Sequence, residues 1–194
     1  METVLTEAAR SALRSQAITL AEFDEVVHRH QRRVYRLLYV LLRDRDEADS
    51  LTQECFLRAF QNLDRFRGEC SVQTWLLRIA VNLARDHARS RKVSFWKQFL
   101  GLGDTKNGSD HFDFPAPGPN PEQAALARAE VQAIWNAVRE LSMQQQTVFT
   151  LRFVEELELS EIASVLNVRV GTVKTQLFRA VHAVRDTLRE QQWH

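Results

Sequence analysis

The chain has 194 residues, 44% of them hydrophobic, and a formal net charge of +1. That length accommodates one domain or two small ones, and the apolar content excludes a disordered chain. A charge balance so near zero carries no global sign of a polyanionic partner, so a nucleic-acid surface must come from local charge.

The N-terminal extension, residues 1–21, opens with METVLTEAARSALRSQ, which lacks the apolar core of a secretory signal. Val4, Leu5, Ala8, Ala12 and Leu13 allow a short amphipathic helix there. Thr19 and Glu22 have capping-box spacing. Phe23, Val26, Val27, His30, Val34, Leu37, Leu38 and Leu41 then recur at helical spacing, predicting a helix to about Leu42. Residues 44–46 interrupt it, and Asp46 is placed to cap a second helix with an inward stripe of Ala48, Leu51, Cys55, Ala59 and Leu63. Gly68 closes that unit. Ser71 is the expected N-cap of a third helix with Val72, Leu76, Ile79 and Leu83 inward.

Residues 93–121 change character. They hold all four prolines and many Gly, Asp, Asn and Ser, the composition of a linker. Phe95, Trp96, Phe99 and Leu100 allow a short docking helix at its start. Helical pattern resumes near Glu122 and runs to Arg189. The expected fold class is all-α: two small helical domains, 22–92 and 122–194, joined by a flexible linker. No apolar run is long enough to cross a bilayer, so a soluble cytoplasmic protein without membrane insertion is expected. Cys55 and Cys70 form neither a CxxC pair nor a metal-ligand spacing, and no cofactor or metal is expected.

The second domain contains LSEIASVLNVRVGTVKTQLFRA, residues 159–180. Ile162, Ala163 and Leu166 line one face of a first segment, and Val170, Val173 and Leu177 one face of a second. Ala163 permits close helix approach, and Asn167 suits the left-handed conformation that ends a helix. This is the spacing of a helix-turn-helix. Arg169, Thr172, Lys174, Thr175, Gln176 and Arg179 are left outward, with the side-chain chemistry to pair phosphates and base edges. Between 167 and 189 five Lys/Arg stand against one acidic residue, Asp186. A solvated helical hairpin has the same pattern. Gly171 lowers helix propensity but lets backbone approach a phosphate. The acidic run before it, Glu155, Glu156, Glu158 and Glu161, reads as a solvated helix start.

In the first domain Arg78, Asn82, Arg85, Arg89 and Lys92 follow at three- or four-residue steps, a stripe able to track a phosphate backbone or simply to face solvent. Trp75 is either a core residue or a platform for an unpaired base. The preceding helix exposes Asp49, Gln53 and Glu54, which disfavour DNA but suit a basic protein partner or solvent.

Three stretches, DEADSLTQECFLRAFQNLDRFRGE, TWLLRIAVNLARDHARSRK and LSEIASVLNVRVGTVKTQLFRAV, occur in this order around a linker. Together they resemble the extracytoplasmic-function (group 4) sigma factors of the sigma-70 family, over about residues 22–92 and 122–190. The resemblance implies a sigma-2 bundle and a sigma-4 helix-turn-helix that bind core RNA polymerase and direct promoter −10/−35 recognition and transcription initiation, under control of an anti-sigma factor. It implies that Asp49, Leu51, Gln53, Glu54 and Phe56 dock on the beta-prime clamp helices, with the beta flap as a further polymerase contact. Phe66, Arg67, Gly68, Glu69 and Ser71 match a loop that captures a flipped −10 base. Trp75, Arg78, Asn82, Arg85 and Arg89 match the helix beside the melted strand. Arg169, Thr172, Lys174, Thr175, Gln176 and Arg179 match the −35 recognition helix. Departures from the family pattern are Ser50 for a second acidic residue, Asn167 for Gly, and Cys70 in the base-capture loop. A stand-alone helix-turn-helix regulator accounts for the second domain only. A nuclease or recombinase needs clustered carboxylates or a nucleophile with its base, neither of which the pattern supplies, so no enzyme is expected.

Overall fold

The computed structural model describes residues 20–99 and 121–192. The expectations for the N-terminal extension, for Thr19 and for the proline-rich part of the linker lie outside those residues. Within them the chain forms seven α-helices: α1 (Leu20–Leu42), α2 (Arg45–Gln61), α3 (Val72–Phe99), α4 (Pro121–Arg139), α5 (Met143–Phe153), α6 (Leu159–Leu166) and α7 (Val170–Gln192). A single 3₁₀ turn, Leu63–Arg65, leads out of α2. The all-α class is as expected.

Local chemistry sets most of the boundaries. The α1–α2 corner turns through Arg43 in the left-handed region, φ 59°. Asp44, not Asp46, then caps α2: its Oδ1 accepts from the Glu47 N–H at 3.1 Å. Arg43 uses the left-handed residue of the corner, which leaves Asp44 extended at the Ncap and Asp46 already inside the first turn. Ser71 caps α3 as expected, its Oγ accepting from the Thr74 N–H at 3.1 Å. Helix α3 runs to Phe99, so 93–99 continue the first domain's last helix and form no separate docking helix. Ser142 and Gln145 form a reciprocal capping box at the head of α5.

The third helix departs from the single stripe that its pattern predicts. Leu76 and Leu83 are buried, but so are Leu77, Ala80, Val81 and Ala84. Burial on both sides follows from position: α3 packs on α1 and α2 with one face and on α6 with another. One buried cluster therefore runs from Val34, Leu37, Leu76 and Val81 of the first domain into Leu151, Ile162 and Val165 of the second. A smaller core of Ala137, Val138, Leu141, Phe149, Ala180 and Val184 ties α4, α5 and α7 together.

Candidate nucleic-acid interface

The turn between α6 and α7 is built by backbone conformation. Asn167 takes φ 53°, ψ 50°. The Val168 N–H returns to the Ala163 carbonyl at 3.0 Å, closing α6. Buried Ile162, Ala163, Leu166 and Val173 hold the two helices together, with half-buried Leu177 beside them. Val170, expected inward, is 38% exposed because it opens α7 at the outer edge of the turn.

The remaining face of α7 is open. Arg169, Thr172, Lys174, Thr175 and Arg179 are exposed and Gln176 is half-buried. Thr175 Oγ1 donates to the Gly171 carbonyl at 3.0 Å, so its hydroxyl proton is spent on the helix's own backbone. A Cβ added to Gly171 meets no atom within 4 Å, and Gly171 is not among the positive-φ residues. Neither internal packing nor conformation requires this glycine. Phe178, 65% exposed and 4.5 Å from the His182 ring, also lies on this open face. It falls outside the core stripe of Val173 and Leu177, and a large apolar residue off the stripe was the available signal for it.

At the head of α3, residues 64–70 curl over the helix. Gly68 has φ 71°, a conformation that disfavours other residues. Phe66 lies 4.8 Å from Trp75, ring to ring, and Trp75 is half-buried, so it combines a packed edge with an accessible one. Arg67, Glu69 and Ser71 are exposed. The loop encloses a cavity of about 560 Å³ lined by Asp64, Arg67, Glu69, Cys70, Trp75 and Arg78, with Ser164 of α6 at its rim. Along α3, Asn82 and Arg89 are exposed and Arg85 half-buried. Arg78 is engaged within the chain: Nε donates to the Ser164 carbonyl at 3.1 Å and Nη2 to Ser164 Oγ at 2.6 Å.

On α2, Asp49 and Gln53 are exposed, and Glu54 pairs with Arg58 one turn on at 2.7 Å. Leu51 is half-buried, and Phe56 is buried against Phe23 at 6.5 Å, so these two face the bundle. The apolar side chains that α2 does expose are Leu57 and Phe60, 51% and 45% accessible, both off the predicted stripe. The second domain has an apolar groove of about 400 Å³ between α4, α5 and α7, lined by Ile134, Phe149, Phe153, Val184 and Leu188.

The acidic run does not behave as one unit. Glu156 and Glu158 are exposed, but Glu155 has a fully buried side chain. Its Oε1 accepts from Arg36 Nη2 at 2.5 Å and Nε at 3.1 Å, and its Oε2 faces Arg33 Nη1 at 3.7 Å. The expectation of a solvated helix start fails here because two arginines of α1 reach across the packing seam. Cys55 is buried and its thiol pKa is pushed up to about 12 by burial, whereas Cys70 is half-buried in the loop before α3. Among the described residues no group of three or more His, Cys, Asp or Glu is placed to hold a metal ion. No described helix is long and apolar enough to cross a membrane.

Residues 26–93 match the family model of Sigma-70 region 2, and residues 131–183 that of Sigma-70, region 4. The chain is 34% identical over 168 residues to the ECF RNA polymerase sigma factor SigW of Bacillus subtilis, covering 87% of this chain and 89% of that protein. It is 32% identical over 179 residues to the RNA polymerase sigma-H factor of Pseudomonas aeruginosa, covering 86% of each. Among solved structures, the sigma factor RpoE of Bartonella quintana, in complex with the anti-sigma factor NepR, superposes with a TM-score of 0.70 at 17% identity over 88% of this chain and 98% of that one. CnrH, in complex with the cytosolic domain of CnrY, gives 0.63 at 21% identity over 92% and 96%. Those two likenesses establish the fold, and the two family models with the full-length relatives establish more. The chain belongs to the sigma-70 family of RNA polymerase sigma factors, in its extracytoplasmic-function group.

Proposed function

We propose that this alternative sigma factor divides promoter recognition between its two ends, with residues 22–92 serving the −10 element and core polymerase and residues 122–194 the −35 element. The observation that carries the reading is that one chain pairs an open basic face on α7 with an aromatic-floored cavity at the head of α3.

In the −35 half, α7 enters the major groove. Arg169, Lys174 and Arg179 neutralise phosphates or read guanine edges, while Gln176, Thr172 and Thr175 offer neutral donors and acceptors. Gly171 brings the helix backbone against the phosphate path, which explains a glycine that nothing inside the chain requires.

In the −10 half, a base swung out of the stack enters the cavity bounded by 66–71. Trp75 supplies a stacking surface backed by Phe66, and Arg67 and Glu69 present complementary polar groups to the base edge. Arg78, Asn82, Arg85 and Arg89 follow the displaced strand's phosphates.

Polymerase contact falls to α2 through Asp49, Gln53 and Glu54, with exposed Leu57 and Phe60 as the apolar part of that surface. Leu51 and Phe56 support it from beneath. The groove of α4, α5 and α7 suits the beta flap. The reading places the protein in the cytoplasm, with an anti-sigma factor as its regulator, and RpoE, solved with the anti-sigma factor NepR, supports that part. Nothing in the reading calls for catalysis by the chain itself.

Reconstituted transcription tests it. Core polymerase supplemented with this protein is expected to initiate at promoters located by mapping transcript starts after overexpression. Failure to initiate at any of them would refute the function. A stand-alone helix-turn-helix regulator leaves α2 and the capture loop without a role.

A further inference from the structure

We propose that His182 is a further DNA contact of this sigma factor, its imidazole meeting a phosphate on the wall of the major groove opposite Gly171 and making the −35 grip proton-dependent. This inference rests on the proposed −35 assignment and adds a residue which that assignment leaves out.

At 100° per residue, Gly171, Thr175, Phe178 and His182 fall within about 60° of one line along α7. All four are exposed, whereas Val173, Ala180 and Val184 on the opposite side are buried. His182 therefore faces the same way as Gly171, toward the DNA that the open face receives. It stands eleven residues beyond Gly171, ~16 Å along the axis at 1.5 Å per residue. A major groove is ~12 Å wide. With the Gly171 backbone against one phosphate wall, the groove floor lies under residues 174–178 and the opposite wall comes level with residues 179–182. Helical side chains lean toward the N-terminus. The His182 ring follows that lean, its centroid 4.5 Å from that of Phe178. The imidazole is thus drawn back onto the wall instead of being carried past it.

Phe178 gains a role by the same placement. It is 65% exposed and belongs to neither core. Beneath His182 it limits the rotamers of an exposed ring, and its π face favours a cation above it. A neutral imidazole offers a phosphate one N–H, and an imidazolium adds a charge. Phosphate contact therefore favours the protonated form. The gain in affinity is full below the ordinary imidazole range, about 6.5, and is lost as pH rises through the pKa of the complex. Among the described residues, the charges that face the ring come from α7 itself: Arg179 and Arg185 on either flank and Asp186 one turn on. Helices α4, α5 and α6 pack on the opposite side of α7. Their described ionisable groups, Glu130, Arg139, Arg152 and Glu161, stand behind the helix.

Reconstituted holoenzyme bound to promoter duplex, titrated with salt at pH 6 and at pH 8, tests the contact. The other histidines and core polymerase titrate alike in every variant, so differences between variants carry the result. At pH 6, His182→Gln is expected to lose up to ~0.9 of the wild-type slope of log affinity against log salt, the share of one phosphate. Its affinity at fixed salt should fall there roughly two- to fivefold, and at pH 8 it should match wild type. His182→Arg should carry the added slope at both pH values. A His182→Gln profile identical to wild type, or an arginine variant with no added slope at pH 8, overturns the contact. Lys174→Ala in the same assay separates the two levels. If it lowers the slope while the His182 variants do not, the −35 assignment stands and the His182 contact falls. If it too has no effect, the −35 assignment itself fails and takes the contact with it.

Discussion

Gly171→Ala should stabilise the free protein and weaken its grip on the −35 element. In the free chain an alanine Cβ meets nothing within 4 Å, and the residue sits at an ordinary helical φ on the second position of α7. Removing glycine's freedom from the unfolded chain then contributes about 0.4–1 kcal/mol to stability. For a chain of this size that raises Tm by roughly 1–4 °C. Bound DNA reverses the sign, because a methyl group interposed between backbone and phosphate breaks a hydrogen bond to a charged acceptor. Such a bond contributes ~1.5–3 kcal/mol, so affinity for a −35-bearing duplex falls roughly tenfold to a hundredfold. Scanning calorimetry of the free protein and binding of the reconstituted holoenzyme to promoter duplex read the two effects separately. Binding within twofold of wild type, with Tm raised, would refute the close backbone approach and return Gly171 to being a tolerated helix residue.

Lys174→Ala with Arg179→Ala should lower the slope of log affinity against log salt by ~1.8, at ~0.9 per phosphate contact, while core-polymerase binding, measured by competition, is unchanged. Asp49→Ala and Glu54→Ala should do the reverse, weakening polymerase binding and sparing duplex affinity. A thiol reagent should titrate Cys70 alone in the native protein and both cysteines in denaturant, because burial drives the Cys55 thiol far above neutral pH. His30 has its pKa lowered by burial and then by Arg33 and Arg29, and its Nδ1 is buried without a hydrogen-bond partner. The unfolded state therefore binds the proton more tightly, and stability falls as pH drops below about 6.5. In His30→Gln, denaturant midpoints measured from pH 7 to pH 5 should decline less steeply than in wild type.

Much of this fold follows from local chemistry and was legible in the residues alone. The 3.6-residue recurrence of Val34, Leu37, Leu38 and Leu41 marks α1 wherever it packs. Ser71 caps α3 because a hydroxyl three residues before a free N–H has a bond to make. Asn167 ends α6 because it tolerates the left-handed turn better than almost any other non-glycine residue. The basic face of α7 is equally local, being what remains once the core positions are removed. Asp46 misled because two acidic residues flank the α1–α2 corner, and the left-handed Arg43 decides which of them stands at the cap.

Other features were decided by tertiary packing alone. An apolar stripe shows that a helix has a buried side, but not that a second layer will cover Leu77, Val81 and Ala84 as well. Glu155 sits in an acidic run that reads as solvated, and its burial depends on Arg36, 119 positions away. Arg78 belongs to a basic stripe that reads as free, yet Ser164, 86 positions on, holds it. Helix period, caps and turn conformation arise between residues a few positions apart, so the residues themselves determined them. Whether a charge is free, paired or buried depends on which distant surface arrives beside it, and here the docking of α6 on α3 and of the α5–α6 turn on α1 made that choice.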